Sequence, residues 1–274
     1  MIKLFSVLSL IKDVKHPAFS FFSLLLTWLV LKWNQLIFSS KNGQFQTRLF
    51  GKRWFGLDAL TVNYLFKEVF LNQEYRVEKL QTHPVIFDCG SNIGTSILYF
   101  KIIYPAAKII GFEANPAVYQ LLEKNVSHPN LSDVIVHPIA LYDRETELTF
   151  YTGSKNENLM GSLFQKRGGA QEIKVQTKRL SQFLMPYEKV DVVKIDVEGA
   201  EWNIVSDLVS SQTLDKVQHY LIEYHLNMPG EQGHLSQFIK IFEDHGYRYS
   251  IKGKFGTPGE FQDLLLHFVK KADA

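Results

Sequence analysis

Cysteine and long uncharged apolar runs are both scarce in this 274-residue chain. Cysteine occurs once, at Cys89, so no intrachain disulfide can form and the core has to hold the fold. The count fits a reducing cytosol. The uncharged apolar stretch 18–31 is shorter than the ~20 residues that a bilayer span needs. An excess of one charge is missing as well. Thirty Lys and Arg stand against 28 Asp and Glu, a net charge of +2, so the balance carries no nucleic-acid signature. Apolar residues make up 46% of the chain, which is ample for a packed core.

The informative stretch is Val85-Ile86-Phe87-Asp88-Cys89-Gly90-Ser91-Asn92-Ile93-Gly94. A short apolar run ends at Asp88, a loop bounded by glycines follows, and Thr95 to Phe100 reads as the start of a helix. Strand, glycine loop and helix start is how an α/β fold brings backbone N–H groups to a nucleotide-like ligand. Two glycines are too few for Gly-x-Gly-x-x-Gly, and no Gly-Lys-Ser/Thr follows for a P-loop. A ligand with a nucleoside and no pyrophosphate fits, and S-adenosylmethionine is such a ligand. Asp88 could accept hydrogen bonds from it. Lys108-Ile109-Ile110-Gly111-Phe112-Glu113 reads as a second strand ending in an acid. Glu113 lies about 20 residues past the loop, where α/β nucleoside sites place a carboxylate for the ribose hydroxyls. The plainer reading is a βαβ unit whose glycines serve only a turn. Cys89 reads as a buried spectator thiol.

The chain divides into residues 1–45, a hydrophobic segment; 46–84, a helical lead-in; and 85–274, an α/β domain. In the first part, the run 18–31 is flanked by Lys12, Lys15, Lys32 and Lys41, with Trp28 and Trp33 suited to a headgroup region. An interfacial membrane helix through residues 18–38 is the first reading, a helix packed on the domain the second, and a span the third. Residues 42–53 read as an extended linker or hairpin, and 57–70 as a helix from which Glu68, with Tyr75 and Arg76 just beyond, could reach a ligand. Further on, 116–126 is a helix with proline at its first position. Residues 134–137, 147–152 and 172–177 are strands. The polar stretch 153–170 is a candidate substrate loop.

Val190-Asp191-Val192-Val193-Lys194-Ile195-Asp196-Val197-Glu198-Gly199-Ala200-Glu201 is the second informative stretch. Residues 190–195 read as a buried strand. A lone buried ammonium is costly, so Lys194 needs a carboxylate. The acids after it could hold a metal or a base, or simply favour a helix N-terminus. Residues 217–223 form another strand that runs into Tyr224 and His225, with Glu223 and His225 on one face. Residues 235–245 are a helix, and 247–251 with 261–269 a closing antiparallel pair.

Asp-Cys-Gly-Ser-Asn-Ile-Gly, Phe-Glu-Ala-Asn-Pro, Ala-Leu-Tyr-Asp, Val-Lys-Ile-Asp-Val-Glu-Gly-Ala-Glu and Glu-Tyr-His, in this order over residues 85–249, resemble the FkbM-type S-adenosylmethionine-dependent methyltransferases. Departures are small: Cys89 and Ser91 in the loop, and Ala114 where proline is common. The resemblance implies an α/β, Rossmann-like, seven-stranded class I methyltransferase sheet, mostly parallel with an antiparallel last strand. It implies methyl transfer from S-adenosyl-L-methionine to a hydroxyl of a sugar, glycan or polyketide-like acceptor. Asp88, Gly90, Ser91, Asn92 and Gly94 would line the loop side of the cofactor. Glu113 would hold the ribose with Asn115 beside it, Ala140 and Leu141 would approach the adenine, and Asp196 would lie nearest the methyl group.

A sugar hydroxyl is a poor nucleophile, and His225 is the first choice of base, with Asp196, Glu198 or Glu223 as orienters. A structural histidine at a strand end is the alternative. No tightly bound metal is expected, although carboxylates could take magnesium. Competing readings are a nicotinamide oxidoreductase, against which the missing glycine counts, and a non-catalytic membrane-bound scaffold. The expected partners are a small-molecule or glycan acceptor and a membrane surface, with no nucleic acid. The expected location is the cytoplasm, at the cytoplasmic face of a membrane.

Overall fold

The computed structural model describes residues 4–37, 45–129, 131–153, 161–162, 169, 171–228, 235–253, 256–257 and 259–271. Its centre is a seven-stranded sheet. The strands are β3 (Val85–Cys89), β4 (Lys108–Phe112), β5 (Val134–His137), β10 (Val190–Ile195), β11 (Val217–Leu226), β12 (Tyr247–Gly253) and β13 (Gln262–Lys270). Their order is β12-β13-β11-β10-β3-β4-β5. Strands β11, β10, β3, β4 and β5 are parallel neighbours, and β13 runs antiparallel to both β11 and β12. The expected reversal is therefore confined to β13.

Side chains alternate between two cores. Ile86, Val192 and Leu221 face one; Phe87, Val193, Tyr220 and Ile222 face the other. All six residues of β10 are buried, which explains its nearly continuous apolar run. Cys89 is a free, fully buried thiol, in line with a spectator role. A smaller four-stranded sheet combines β6 (Ala140–Leu141), β7 (Glu147–Thr152), β8 (Gly161–Ser162) and β9 (Gln171–Lys178). Within the candidate substrate loop, residues 154–160, 163–168 and 170 lie outside the described residues. Gly161 and Ser162 pair with Thr152 and Tyr151 instead of looping out.

Helix α1 (Leu4–Asp13) and helix α2 (Phe21–Ile37) join the domain core, so the inner face of α2 packs on the domain, as in the second of the three readings of this segment. Leu24, Thr27 and Leu31 of α2 are buried. Thr27 Oγ1 accepts from Phe50 N at 3.4 Å, and Asn34 Nδ2 donates to Thr47 Oγ1 at 2.9 Å. Phe19 stacks on Tyr99 of α4 (Thr95–Ile103) with ring centroids 5.6 Å apart. Among the described residues no helix is long and apolar enough to cross a membrane.

Of the stretch 42–53, residues 42–44 lie outside the described residues, and 45–53 resolve the linker-or-hairpin alternative in favour of a hairpin. Its strands are β1 (Phe45–Leu49) and β2 (Lys52–Gly56), with Phe50 and Gly51 both at positive φ in the turn. Helix α3 (Ala59–Phe66), capped by Asp58, passes into a π-helical turn over Lys67–Leu71. Asn125, at 0% exposure on α5 (Pro116–Val126), ties this lead-in to the domain. Its amide donates to Phe55 O at 2.9 Å and Ile93 O at 2.8 Å, and it accepts from Phe55 N at 2.8 Å.

Candidate active site

The glycine loop leaves β3 at the C-terminal edge of the sheet. Gly90 N and Ser91 N both donate to Phe112 O, at 3.0 and 2.8 Å, so the loop is stitched to the end of β4. Gly90 has φ +83°, and a Cβ there would stand 1.7 Å from Asp196 O. The glycine is thus required by the neighbouring strand end rather than by a ligand. Gly94 has φ +86°, and a Cβ would press on Leu122 at 2.9 Å, so it serves the turn and the packing of α5.

Several expected ligand contacts turn inward. Ser91 Oγ donates to Asp88 O at 2.8 Å and accepts from Phe112 N at 3.2 Å, so the Ser91 side chain locks the loop. Asp88 is wholly buried. It accepts from Ser96 Oγ at 2.6 Å and pairs with Lys194 at 3.3 Å, so its carboxylate serves the core beneath the loop. Asn115 caps α5 by accepting from Ala117 N at 3.0 Å.

Lys194 has its carboxylates. Its Nζ donates to Gly90 O at 2.8 Å, lies 3.3 Å from Asp88 Oδ1 and from Asp196 Oδ2, and sits 5.2 Å from the centre of the Tyr75 ring. Burial pulls its pKa down, but Asp88 and Asp196 outweigh that and hold it above the usual lysine value. The ammonium thus links the ends of β3 and β10 below the site. Tyr75 donates to Asp196 Oδ2 at 3.3 Å, as its reach from the lead-in suggests. Arg76 does not reach the site; it pairs with Glu78.

Gly90, Asn92, Glu113, Ala140, Leu141, Asp196 and Glu198 line a crevice of about 670 Å³ that opens to solvent. Phe112, Ile139 and Phe150 supply apolar wall. The small sheet contributes Phe150 and Gly161, which sequence patterns do not single out. A Cβ on Gly161 would lie 2.1 Å from the Phe150 ring. Glu113 accepts from Asn92 N at 2.9 Å and Asn115 N at 2.8 Å. Burial pushes its pKa up to about 7, against the lowering effect of those two N–H groups.

His225, at the end of β11, lies between two carboxylates. Its Nδ1 is 2.9 Å from Glu201 Oε1 and its Nε2 3.1 Å from Glu198 Oε2. Glu201, at the start of α6 (Glu201–Ser210), also accepts from Gly199 N at 3.0 Å. Burial would lower the pKa of His225, but Glu201 and Glu198 outweigh it and hold it well above the usual histidine value. With Glu201 bonded at Nδ1 and the Glu198 carboxylate beside Nε2, both ring nitrogens face negative charge, an arrangement that favours an imidazolium over the expected base. Glu201 is one of the acids that the sequence placed after the strand, whereas Asp263, 3.8 Å from His225, was not a candidate and comes into reach through the pairing of β13 with β11. Ligand atoms of Asp196, Glu198 and His225 all lie within 4.8 Å of one another, as do those of Glu223, His225 and Asp263. Either group could take a metal only after His225 gave up its Nε2 proton. Burial and then the charge of Asp196 push Glu223 well above the usual carboxylate range.

A mainly parallel seven-stranded sheet with this strand order, one reversed strand and a crevice at the C-terminal strand ends defines a class I methyltransferase. Within that class the chain belongs to the FkbM methyltransferase family, whose domain model, described as Methyltransferase FkbM domain, matches residues 88–249. It is 28% identical over 227 residues to Methyltransferase 1 of Beauveria bassiana, covering 76% of this chain and 89% of that protein. It is 21% identical over 222 residues to 31-O-demethyl-FK506 methyltransferase FkbM of Streptomyces tacrolimicus, covering 70% and 84%. The crystal structure of Methyltransferase FkbM from Methylobacillus flagellatus KT superposes with a TM-score of 0.49 at 10% identity, over 89% of this chain and 59% of that one.

Proposed function

We propose that this methyltransferase uses S-adenosyl-L-methionine to methylate a hydroxyl of a small-molecule or glycan acceptor, sugar-like or polyketide-like. The observation that carries the cofactor is Glu113, a buried carboxylate on the crevice wall, held by two backbone N–H groups that leave its outer lone pairs for a ribose diol. Ala140, Leu141, Ile139 and Phe112 offer apolar surface to a flat base. The loop has no basic side chain to attract a pyrophosphate, which disfavours a nicotinamide cofactor. The Streptomyces relative, a methyltransferase named for a 31-O-demethyl compound, supports an oxygen acceptor.

When bound, the cofactor supplies a methyl group on a sulfonium, a leaving group that needs no protonation. The acceptor oxygen forms the new O–C bond as the S–C bond breaks, and the hydroxyl proton has to go to the protein. Of the four catalytic candidates, Asp196 and Glu198 line the crevice. Glu198 already faces His225, so Asp196 takes the proton. Its carboxylate keeps 23% exposure, and burial raises its pKa while Lys194 holds it down. Glu223 and the His225 imidazolium lie behind it and set the local field. Alignment of the acceptor supplies much of the acceleration.

The test is single-turnover transfer of an isotopically labelled methyl group to hydroxylated acceptors, with calorimetric titration of S-adenosylhomocysteine and of NAD. Asp196→Asn is expected to slow transfer by about 10²–10⁴-fold, the usual range for loss of a proton acceptor, with S-adenosylhomocysteine still bound. Binding of NAD instead of S-adenosylhomocysteine would reverse the reading.

A further inference from the structure

Helix α2 has two apolar faces, and the domain uses one. Leu24, Thr27 and Leu31 are buried against the hairpin and the core. On the other side Phe22 is 80% exposed, Leu26 63%, Leu29 48%, Trp33 64% and Leu36 82%. Their spacing of four, three, four and three residues makes one stripe, ~21 Å long at 1.5 Å per residue. Monomeric soluble proteins rarely leave so continuous an apolar face to water.

The charge of the segment that carries this stripe is lopsided. Residues 1–53 carry eight Lys and Arg against one acid, whereas the remaining residues carry 22 against 27. Lys12, Lys15, Arg48 and Arg53 are exposed, the last two as cross-strand partners in the hairpin. Asp13 is the one acid.

We propose that the outer face of α2 seats the protein on an anionic lipid surface, with the stripe in the acyl-headgroup boundary and the basic side chains on headgroup phosphates. A second copy of the chain fits less well, because it would bring two strongly basic segments together. An anionic bilayer neutralises them. Trp33 has the amphipathic ring that favours the headgroup level. The inner face fixes α2 to the domain, so the helix lies on the membrane as part of the protein rather than as a removable anchor. Deleting residues 1–40 would uncover Phe50, Phe70 and Tyr99 and is a poor test.

The test is flotation of the full chain with vesicles of phosphatidylcholine, with and without phosphatidylglycerol, at low and high salt. Sedimentation velocity without lipid runs alongside. The chain is expected to float with the anionic vesicles at low salt only. Leu26→Ser and Trp33→Ser, both on the exposed side, are each expected to lower the partition coefficient by about tenfold, with the thermal unfolding transition unchanged. Should the pair disturb folding, Leu36→Ser alone makes the same reading, since that side chain is 82% exposed. Failure to float with anionic vesicles would overturn the proposal, as would flotation unaffected by these substitutions. A dimer without lipid that Leu26→Ser and Trp33→Ser dissociate would assign the face to a second copy. None of these readouts depends on the methyl acceptor.

Discussion

Glu113→Gln tests the nucleoside site most directly. The substitution keeps the side chain's size but removes its charge and one acceptor. In the native protein Oε1 accepts from Asn115 N and Oε2 from Asn92 N, at 2.8 and 2.9 Å. A glutamine has to turn its NH₂ toward one of those N–H groups, donor against donor, or turn it outward to the ribose. A hydrogen bond to a charged acceptor contributes about 1.5–3 kcal/mol, so losing one and weakening the other predicts a loss of roughly 2–4 kcal/mol. That is roughly a 30- to 1,000-fold rise in the dissociation constant of S-adenosylhomocysteine. The pH dependence adds a second, independent signature. Burial pushes the Glu113 pKa up to about 7, so below that value the free protein holds a proton that a ribose diol must displace. With the pKa about 7, wild-type affinity should fall about tenfold between about pH 8 and about pH 6, whereas Glu113→Gln should be flat. Calorimetric titrations at three pH values read both effects. Unchanged affinity in the variant, or a flat wild-type profile, would refute the ribose assignment.

Lys194→Met should leave Asp88 buried with only Ser96 as partner and cost about 3–5 kcal/mol in urea denaturation, because an unpaired buried charge is strongly destabilising. Gly90→Ala should abolish S-adenosylhomocysteine binding, since φ +83° and a Cβ 1.7 Å from Asp196 O force the ends of β3 and β10 apart; an intact binding isotherm would contradict this. Stability should peak near the ordinary glutamate pKa, about pH 4.5, because above it the two buried carboxyls lose more than His219 gains. Burial raises Glu113 to about 7 and Glu68 to about 8, so their contributions are full below the ordinary glutamate pKa and are lost as pH rises through 7 and 8. Burial lowers His219 to about 4, so its contribution is lost as pH falls from 6.5 toward 4. Thermal melts across this range check both limbs, and a monotonic profile would contradict one of them.

Much of the sheet was legible because its parallel strands are set by local signals, whereas their seven-stranded arrangement was implied only by the family resemblance. Residues 85–94, 108–113 and 190–195 each combine a short apolar run with a terminal acid or glycine, and the observed strands match those runs. Helices starting at Pro116 and near Glu201 were legible from proline and from the acids beside Gly199. Roles within the site were less legible. Asp88 and Glu113 look alike in sequence, each ending an apolar run. They differ because Lys194 on the adjoining strand takes one, while backbone N–H groups hold the other at the crevice wall.

The sequence by itself determined the class of fold, the two strand ends that make the nucleoside crevice, and the need of Lys194 for carboxylates, since each follows from residue type and short-range spacing. The tertiary structure alone set His225 between two carboxylates, because its neighbours Glu198 and Glu201 come from another strand–helix junction. It also decided that α2 is half core and half open surface. An apolar helix has no preferred face until the domain covers one of them, and here Leu24, Thr27 and Leu31 were the side that found a partner.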